Sequence, residues 1–197
     1  MLKINQINMK KNIFLQLLII LSIGCTAQTY PLDTDYKTIP DYSHLKDINN
    51  IYSPYIGEWK ANVSNNEIIL KIEKVNDRFH DFNTKKFYQD VLFIKYTIKN
   101  QQGNIIESTM NLNITDSNII SSTVFPNANL ISFTYKGGQC GVGWGSINLQ
   151  LIDLAHLKWN YEPEPKIITN KNCSNYPTGG IEINLPYEQE NIVFTKQ

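Results

Sequence analysis

The chain has 197 residues, with 18 basic and 18 acidic side chains and a single arginine, Arg78. Nothing gathers Lys and Arg onto one face, so the composition argues against a nucleic-acid partner. The length suits one domain with a true core rather than two.

The first element is a leader. Lys3, Lys10 and Lys11 precede an apolar run from Ile13 to Ile23, and no acidic residue occurs before Asp33. A basic head, an apolar stretch and then small residues is the layout of a secretory signal. As a helix the run would span only ~16 Å, against a hydrocarbon core of ~30 Å, so it does not suit a permanent span. Met9 is the natural start. Residues 1–24 are therefore expected to be a signal peptide, removed ahead of Cys25. Cleavage after Ala27 is the competing reading. Without its leader lysines the mature chain is mildly acidic.

Residues 25–50 read as an extended polar connector, broken by Pro31, Pro40 and the Asp/Asn clusters at 33–36 and 47–50. From residue 51 to 197 a two-residue period takes over, as expected of one β domain. It runs through Ile68/Leu70/Ile72, Leu92/Ile94/Tyr96/Ile98, Met110/Leu112/Ile114 and Ile131/Phe133/Tyr135. It continues through Ile147/Leu149/Leu151, Leu157/Trp159/Tyr161 and Ile181/Ile183/Leu185. Alternating side chains occupy opposite faces of a strand, so each segment is dry on one side and wet on the other. Turn residues punctuate the segments at Asn65-Asn66, Gln102-Gly-Asn104, Asp116-Ser-Asn118, Pro126–Asn129 and Asp153–Ala155. Short strands, short connections and one dry face per strand predict an all-β fold: an antiparallel up-and-down barrel of about 8–10 strands.

Three resemblances sharpen this. Leu21-Ser-Ile-Gly-Cys25 resembles the lipobox of bacterial lipoproteins, with Ser22 where that family usually has leucine. It implies lipidation of Cys25 and a membrane partner through the lipid anchor, at the cell envelope and specifically the outer membrane; cleavage after Ala27 would instead give a periplasmic or secreted protein. Gly57-Glu-Trp59, at the start of the first strand after the connector, resembles the first signature of lipocalin-like barrels. That likeness implies that Gly57 and Trp59 close one end of the barrel, with Lys196 standing where lipocalins often use an arginine over the tryptophan. More broadly the chain is similar to uncharacterised small exported proteins of Bacteroidota. The shared elements are Pro31-Leu-Asp-Thr34, Lys46-Asp-Ile-Asn-Asn50, Gly-x-Trp and the terminal Phe194-Thr-Lys-Gln197. This group implies no activity.

The residues that could carry chemistry do not assemble into a catalytic pattern, so no enzyme and no cofactor is expected. The cluster Gly137–Gly145 has no Lys-Ser/Thr after it and lacks the spacing of a nucleotide loop. It echoes a cysteine-protease signature but places Gly143 where the nucleophile would stand. A bulged connection pinned by a disulfide fits better. His44, His80 and His156 are scattered, without metal-ligand spacing. Glu162 and Glu164 sit in a stiff Glu-Pro-Glu-Pro run rather than a catalytic pair. Cys140 and Cys173 either form a disulfide or remain two thiols. With 11 Tyr, 8 Phe and 3 Trp, the dry faces either fill the barrel or line a cavity for a small apolar ligand. If the barrel is filled, loops such as 78–88 and 137–145 would instead meet a protein or glycan partner.

Overall fold

The computed structural model describes residues 28–174, 176–187 and 191–197; the leader and Cys25 lie outside the described residues. The alternating segments form strands, and eight of them close a barrel. In chain order these are β3 (Gly57–Val63), β4 (Asn66–Asp81), β5 (Lys86–Lys99), β7 (Ile119–Phe125), β8 (Leu130–Tyr135), β9 (Gly145–Asp153), β10 (His156–Pro163) and β11 (Ile192–Lys196). Each pairs antiparallel with the next, β5 with β7, and β11 returns to β3 through Thr195 opposite Lys60 and Lys196 opposite Trp59. This is the up-and-down barrel that the two-residue period predicts, and it is lipocalin-like, as the resemblance at Gly57-Glu-Trp59 implies. Closure leaves no strand edge within the ring.

The register shows why the alternation works. Trp59, Ala61 and Val63 of β3 face inward beside Leu70, Ile68 and Asn66 of β4. Leu92, Ile94, Tyr96 and Ile98 of β5 and Phe133, Trp159 and Phe194 of β8, β10 and β11 join them, and all are buried. Intervening residues such as Lys60, Lys158 and Asn160 point away from the core. The short β6 (Ile105–Ser108) lies off the ring and pairs only with the end of β5.

Two expected strands are absent. Met110/Leu112/Ile114 alternates, yet residues 109–113 turn and Ile114–Asp116 makes one 3-10 turn. Local bonds take up the backbone there: Leu112 N–H donates to Thr109 O, Asp116 N–H to Asn113 O, and Asn113 Nδ2 donates to Asp116 Oδ2. Ile114 packs instead on the outer face of the barrel against Val91, Phe93 and Ile120. Ile181/Ile183/Leu185 also alternates but joins no ladder, because β10 and β11 already pair with each other and leave no edge for it.

Residues 28–50 also differ from a free connector. They form β1 (Thr29–Pro31) and β2 (His44–Lys46), and β2 pairs parallel with the first part of β5. Leu32, Ile39 and Leu45 are buried, which docks the segment on the domain. The paired ends of β4 and β5 run past the closed end of the ring, and β2 and β1 widen this extension. The segment 78–88, expected as a loop, is instead mostly a paired hairpin, with Phe79 opposite Tyr88 and His80 opposite Phe87.

A bulge between Val75 and Arg78, with Asp77 at φ 53°, separates barrel from extension, and buried charge holds the two together. Asp90 accepts from the N–H groups of Asp47 (3.1 Å) and Asp77 (3.1 Å) and from Lys46 Nζ (3.2 Å). Lys74 bridges Asp90 and Asp47, each at 3.3 Å. Burial works to raise the Asp90 pKa, but those two N–H groups and Lys46 outweigh it and hold the carboxyl below its ordinary value. Lys46 likewise holds Asp77 down, against burial and with help from His44. A carboxyl depressed in the folded state contributes stability that is complete above its unfolded pKa and is lost as pH falls through the folded one. Stability should therefore drop as pH falls below about 4. Asp90→Asn should cost about 2 kcal/mol at neutral pH and flatten that acid limb, as read by urea unfolding at pH 7 and pH 3.

At the closed end, Trp59 is fully buried and its Nε1 donates to Tyr55 O at 2.7 Å, on a 3-10 turn (Ser53–Tyr55) that plugs the barrel. Lys196 Nζ stands 5.0 Å from the centre of the Trp59 ring and donates to Pro54 O at 2.9 Å. A lysine thus covers the tryptophan. Gly57 makes room for it: at φ 130° a side chain is strained, and a Cβ there would meet Lys196 Cε at 3.3 Å. Lys196→Ala should cost about 1–2 kcal/mol in urea unfolding, whereas Lys196→Arg should cost little.

Candidate functional site

The opposite end of the barrel is built from three pieces. The first is the tight β3–β4 turn, where Ser64 and Asn65 both take positive φ (49° and 67°), as a two-residue hairpin of matching twist requires. The second is the glycine-rich loop 136–144. Gly137 has φ 85°, and a Cβ there would fall 2.4 Å from the Gly141 carbonyl carbon, so only glycine lets this loop fold back on itself. The third is the connection between β10 and β11, in its described residues 164–174 and 176–187.

A disulfide between Cys140 and Cys173, with Cα atoms 5.6 Å apart, ties the second piece to the third. Lys166 Nζ adds a bond to Cys140 O at 2.7 Å. Residues 181–187 then lie across the mouth as a strap. Leu185 is buried with the core, and Ile183 packs against it half-buried. Trp159 Nε1 donates to Pro186 O at 2.9 Å, and Asn184 Nδ2 donates to Glu107 Oε2 at 2.6 Å.

Under the strap the top of the barrel is polar. Tyr96 Oη donates to Glu107 Oε1 at 2.5 Å and lies 3.3 Å from Tyr135 Oη. Tyr161 Oη donates to Gly143 O, and its ring meets those of Tyr135, Trp159 and Tyr187 edge-on. Burial pushes all three phenols up, reinforced for Tyr96 by Tyr135 and Glu107 and for Tyr161 by Tyr135 and Tyr187. They therefore act as neutral donors and acceptors over the physiological range.

Two clefts flank the strap. One, of about 520 Å³, lies between the strap and the β3–β4 turn, where Val63, Ile68 and Leu185 supply an apolar floor and Ser64 and Asn66 a polar rim. The other, of about 310 Å³, reaches Glu107 and Tyr135 beneath the glycine loop. Val142 and residues 181–184 line both. The linings contain two carboxylates, Glu107 and Glu182, and no basic side chain. Below them Trp59, Phe133, Trp159 and Phe194 fill the barrel axis, each at most 1 % exposed. Of the two readings of the aromatic-rich dry faces, packing describes the middle of the barrel, and open space belongs to its mouth.

The residues singled out in the sequence fall apart in space. Gly57 and Trp59 lie at the closed end, Cys140 and Cys173 at the mouth, and Cys25 outside the described residues. His44 pairs with Asp77 (2.6 Å), His156 with Asp153 (2.9 Å), and His80 stacks on Phe87 in the extension. Among the described residues no cluster of three or more His, Cys, Asp or Glu side chains could hold a metal. Glu162 accepts from Asn160 Nδ2 at 2.9 Å, while the Glu164 N–H donates to Trp144 O. Sequence reasoning missed Glu107, Asn184 and the tyrosine trio. One signal was available for the trio: Tyr96, Tyr135 and Tyr161 each stand late on a dry face whose strand rises toward the mouth.

A family model described as a family of unknown function, DUF6705, matches residues 9–197. Neither a curated protein nor a solved structure matches the chain.

Proposed function

Because the chain belongs to the DUF6705 family, which has no assigned function, we propose from its own geometry that it is a binding protein. It takes a small amphipathic molecule, neutral or cationic, in the clefts at the barrel mouth. The observation that carries this is the cleft of about 520 Å³ beneath the strap, which has the size and the mixed apolar and polar lining of a small-molecule site. Glu182 in this cleft, Glu107 in the smaller one and the absence of lysine or arginine from both linings disfavour an anion, since a buried anion needs a cationic or N–H partner. Val63, Ile68 and Leu185 would hold the apolar part. Asn66 and Glu182 of the same cleft would meet the polar part, while Glu107 and Tyr135 stand in the smaller cleft beneath the glycine loop. No nucleophile with a base stands among these groups, which supports binding rather than catalysis.

The leader and the Cys25 sequence support export and a lipid anchor at the envelope, on the outer membrane. Detergent partitioning with intact mass tests this: an acylated chain beginning at Cys25 is expected, and a soluble chain beginning at Gln28 without acyl mass would contradict it.

Native mass spectrometry of protein purified gently from its own envelope tests the binding. A bound excess mass is expected, and Val142→Arg, which places a long charged side chain in both clefts, should remove it. If no excess mass accompanies the unsubstituted protein, the ligand reading fails, and contact of the loops with a protein or glycan becomes the better account.

A further inference from the structure

We infer that the aromatic tip of the β4–β5 hairpin is a membrane-contacting surface, seated in the headgroup region of the bilayer that holds the lipid anchor. The barrel then stands on its closed end, with the mouth turned toward water. This rests on the reading of Cys25 as the anchor, and three observations beyond that reading carry it.

The first is the composition of the tip. Hairpin ends are normally made of small polar residues. Here Tyr42, Phe79 and Phe82 project with 55 %, 45 % and 51 % of their surface exposed. Phe79 and Phe82 are also braced. Phe82 contacts the rings of Tyr36, His80 and Phe87 at 5.6, 5.6 and 5.8 Å, Phe79 contacts Tyr88 at 5.2 Å, and Tyr36 and His80 each stack on Phe87. Burial and then the Arg78 charge push the His80 pKa down to about 4, so at neutral pH this cluster holds a neutral imidazole. Rigid aromatic side chains presented to solvent suit the interface between headgroups and acyl chains.

The second is the direction of the chain. β1, β2 and β5 run parallel, so all three begin at the tip. The backbone of Gln28 is fixed there, its carbonyl accepting from the His44 N–H at 2.8 Å, while the Tyr42 N–H donates to Lys86 O at 2.7 Å. Three peptide units separate Cys25 from Gln28, and fully extended they reach about 10 Å. A lipid on Cys25 would therefore hold the tip, and no other part of the domain, against the bilayer. β4 spans 16 residues from Asn66 at the mouth to Asp81 at the tip. At ~3.3 Å per residue that is about 50 Å along a strand that bulges and tilts in the barrel, so the mouth stands at most that far from the tip.

The third is charge. Lys85 pairs with Asp41 at 3.4 Å and Lys86 with Asp81 at 3.2 Å, so the tip carries no strong net charge. The contact then comes from rings entering the interface rather than from attraction to anionic headgroups, and zwitterionic lipid suffices. Because the acyl chains supply the affinity, the patch sets orientation. A ligand would reach the mouth from the aqueous side and not laterally from the bilayer.

Depth-dependent quenching tests this with the full chain in phosphatidylcholine vesicles containing bromine-labelled acyl chains. Phe82→Trp and, as a second reporter, Phe79→Trp should each lose about half or more of their added emission. Gln102→Trp, in the exposed β5–β6 turn at the mouth end, should lose none. Intact mass of the same preparations reports acylation separately. Vesicle-bound protein unquenched at positions 79 and 82, or quenched at position 102, overturns the inference, and so does an unacylated chain that shows no quenching. An unacylated chain quenched at 79 and 82 would retain the membrane surface while defeating the anchor reading.

Discussion

Trp59→Ala is expected to be the most damaging single truncation in the barrel. Trp59 is wholly buried, and removing so large a side chain from a core costs about 3–5 kcal/mol in transfer and cavity terms. More than volume is lost. Tyr55 O forfeits its indole donor, and Lys196 forfeits the ring beneath its ammonium. The 3-10 plug then keeps two ties, from Tyr55 Oη to Asn129 O at 2.6 Å on the β7–β8 turn and from Lys196 Nζ to Pro54 O at 2.9 Å. Domains of this size have total stabilities of about 5–15 kcal/mol, so the variant should be at the edge of folding. Trp59→Phe should fall between, keeping part of the ring volume while losing the N–H. Urea unfolding followed by far-ultraviolet circular dichroism reads both. A Trp59→Ala cost below about 1 kcal/mol would mean that the closed end is not built around this residue.

Removal of the disulfide is expected to act at the other end. Cys140 and Cys173 are 33 positions apart, and releasing a loop of that length from its cross-link costs about 3–4 kcal/mol in the chain-entropy description. The double substitution Cys140→Ser/Cys173→Ser should unlock the strap more than the barrel. The strap makes few backbone hydrogen bonds of its own and relies on Leu185, the Asn184–Glu107 bond and the Trp159–Pro186 bond. Hydrogen exchange should therefore quicken across residues 176–187 while β3, β4 and β9 keep their protection. Unchanged exchange in the strap would show that the cross-link does not hold the mouth.

The parts of this fold that were legible in the sequence are those where burial on one face dictates a strict alternation. Ile68/Leu70/Ile72 and Leu92 to Ile98 could be read because each dry residue has a dry neighbour across the ladder. The same alternation misleads at Ile181/Ile183/Leu185, because a strap whose apolar side rests on a barrel mouth has the pattern of a strand without its partner. Leu32, Ile39 and Leu45 gave no warning of docking, since their spacing follows neither strand nor helix. The extension was hidden because the bulge at Asn76-Asp77 breaks the period, and because Asp81, Lys85 and Lys86 look like loop residues. The site was the least legible part. Glu107 sits on a four-residue strand off the ring, and it becomes distinctive only when β5, β8 and the strap bring Tyr96, Tyr135 and Asn184 around it. Such convergence depends on register and closure, which composition and spacing do not encode.

The proposed binding space lies at the mouth, under the strap, and the barrel axis below it is solid; a binding site along the axis is the competing arrangement. A crystal structure of protein purified from its native source, without added ligand, decides between them. Electron density for a small molecule is expected between residues 181–187 and the Ser64–Asn66 turn, against Val63, Ile68 and Leu185. A ligand lying along the axis, with Trp159, Phe133 and Phe194 displaced to admit it, would contradict the account.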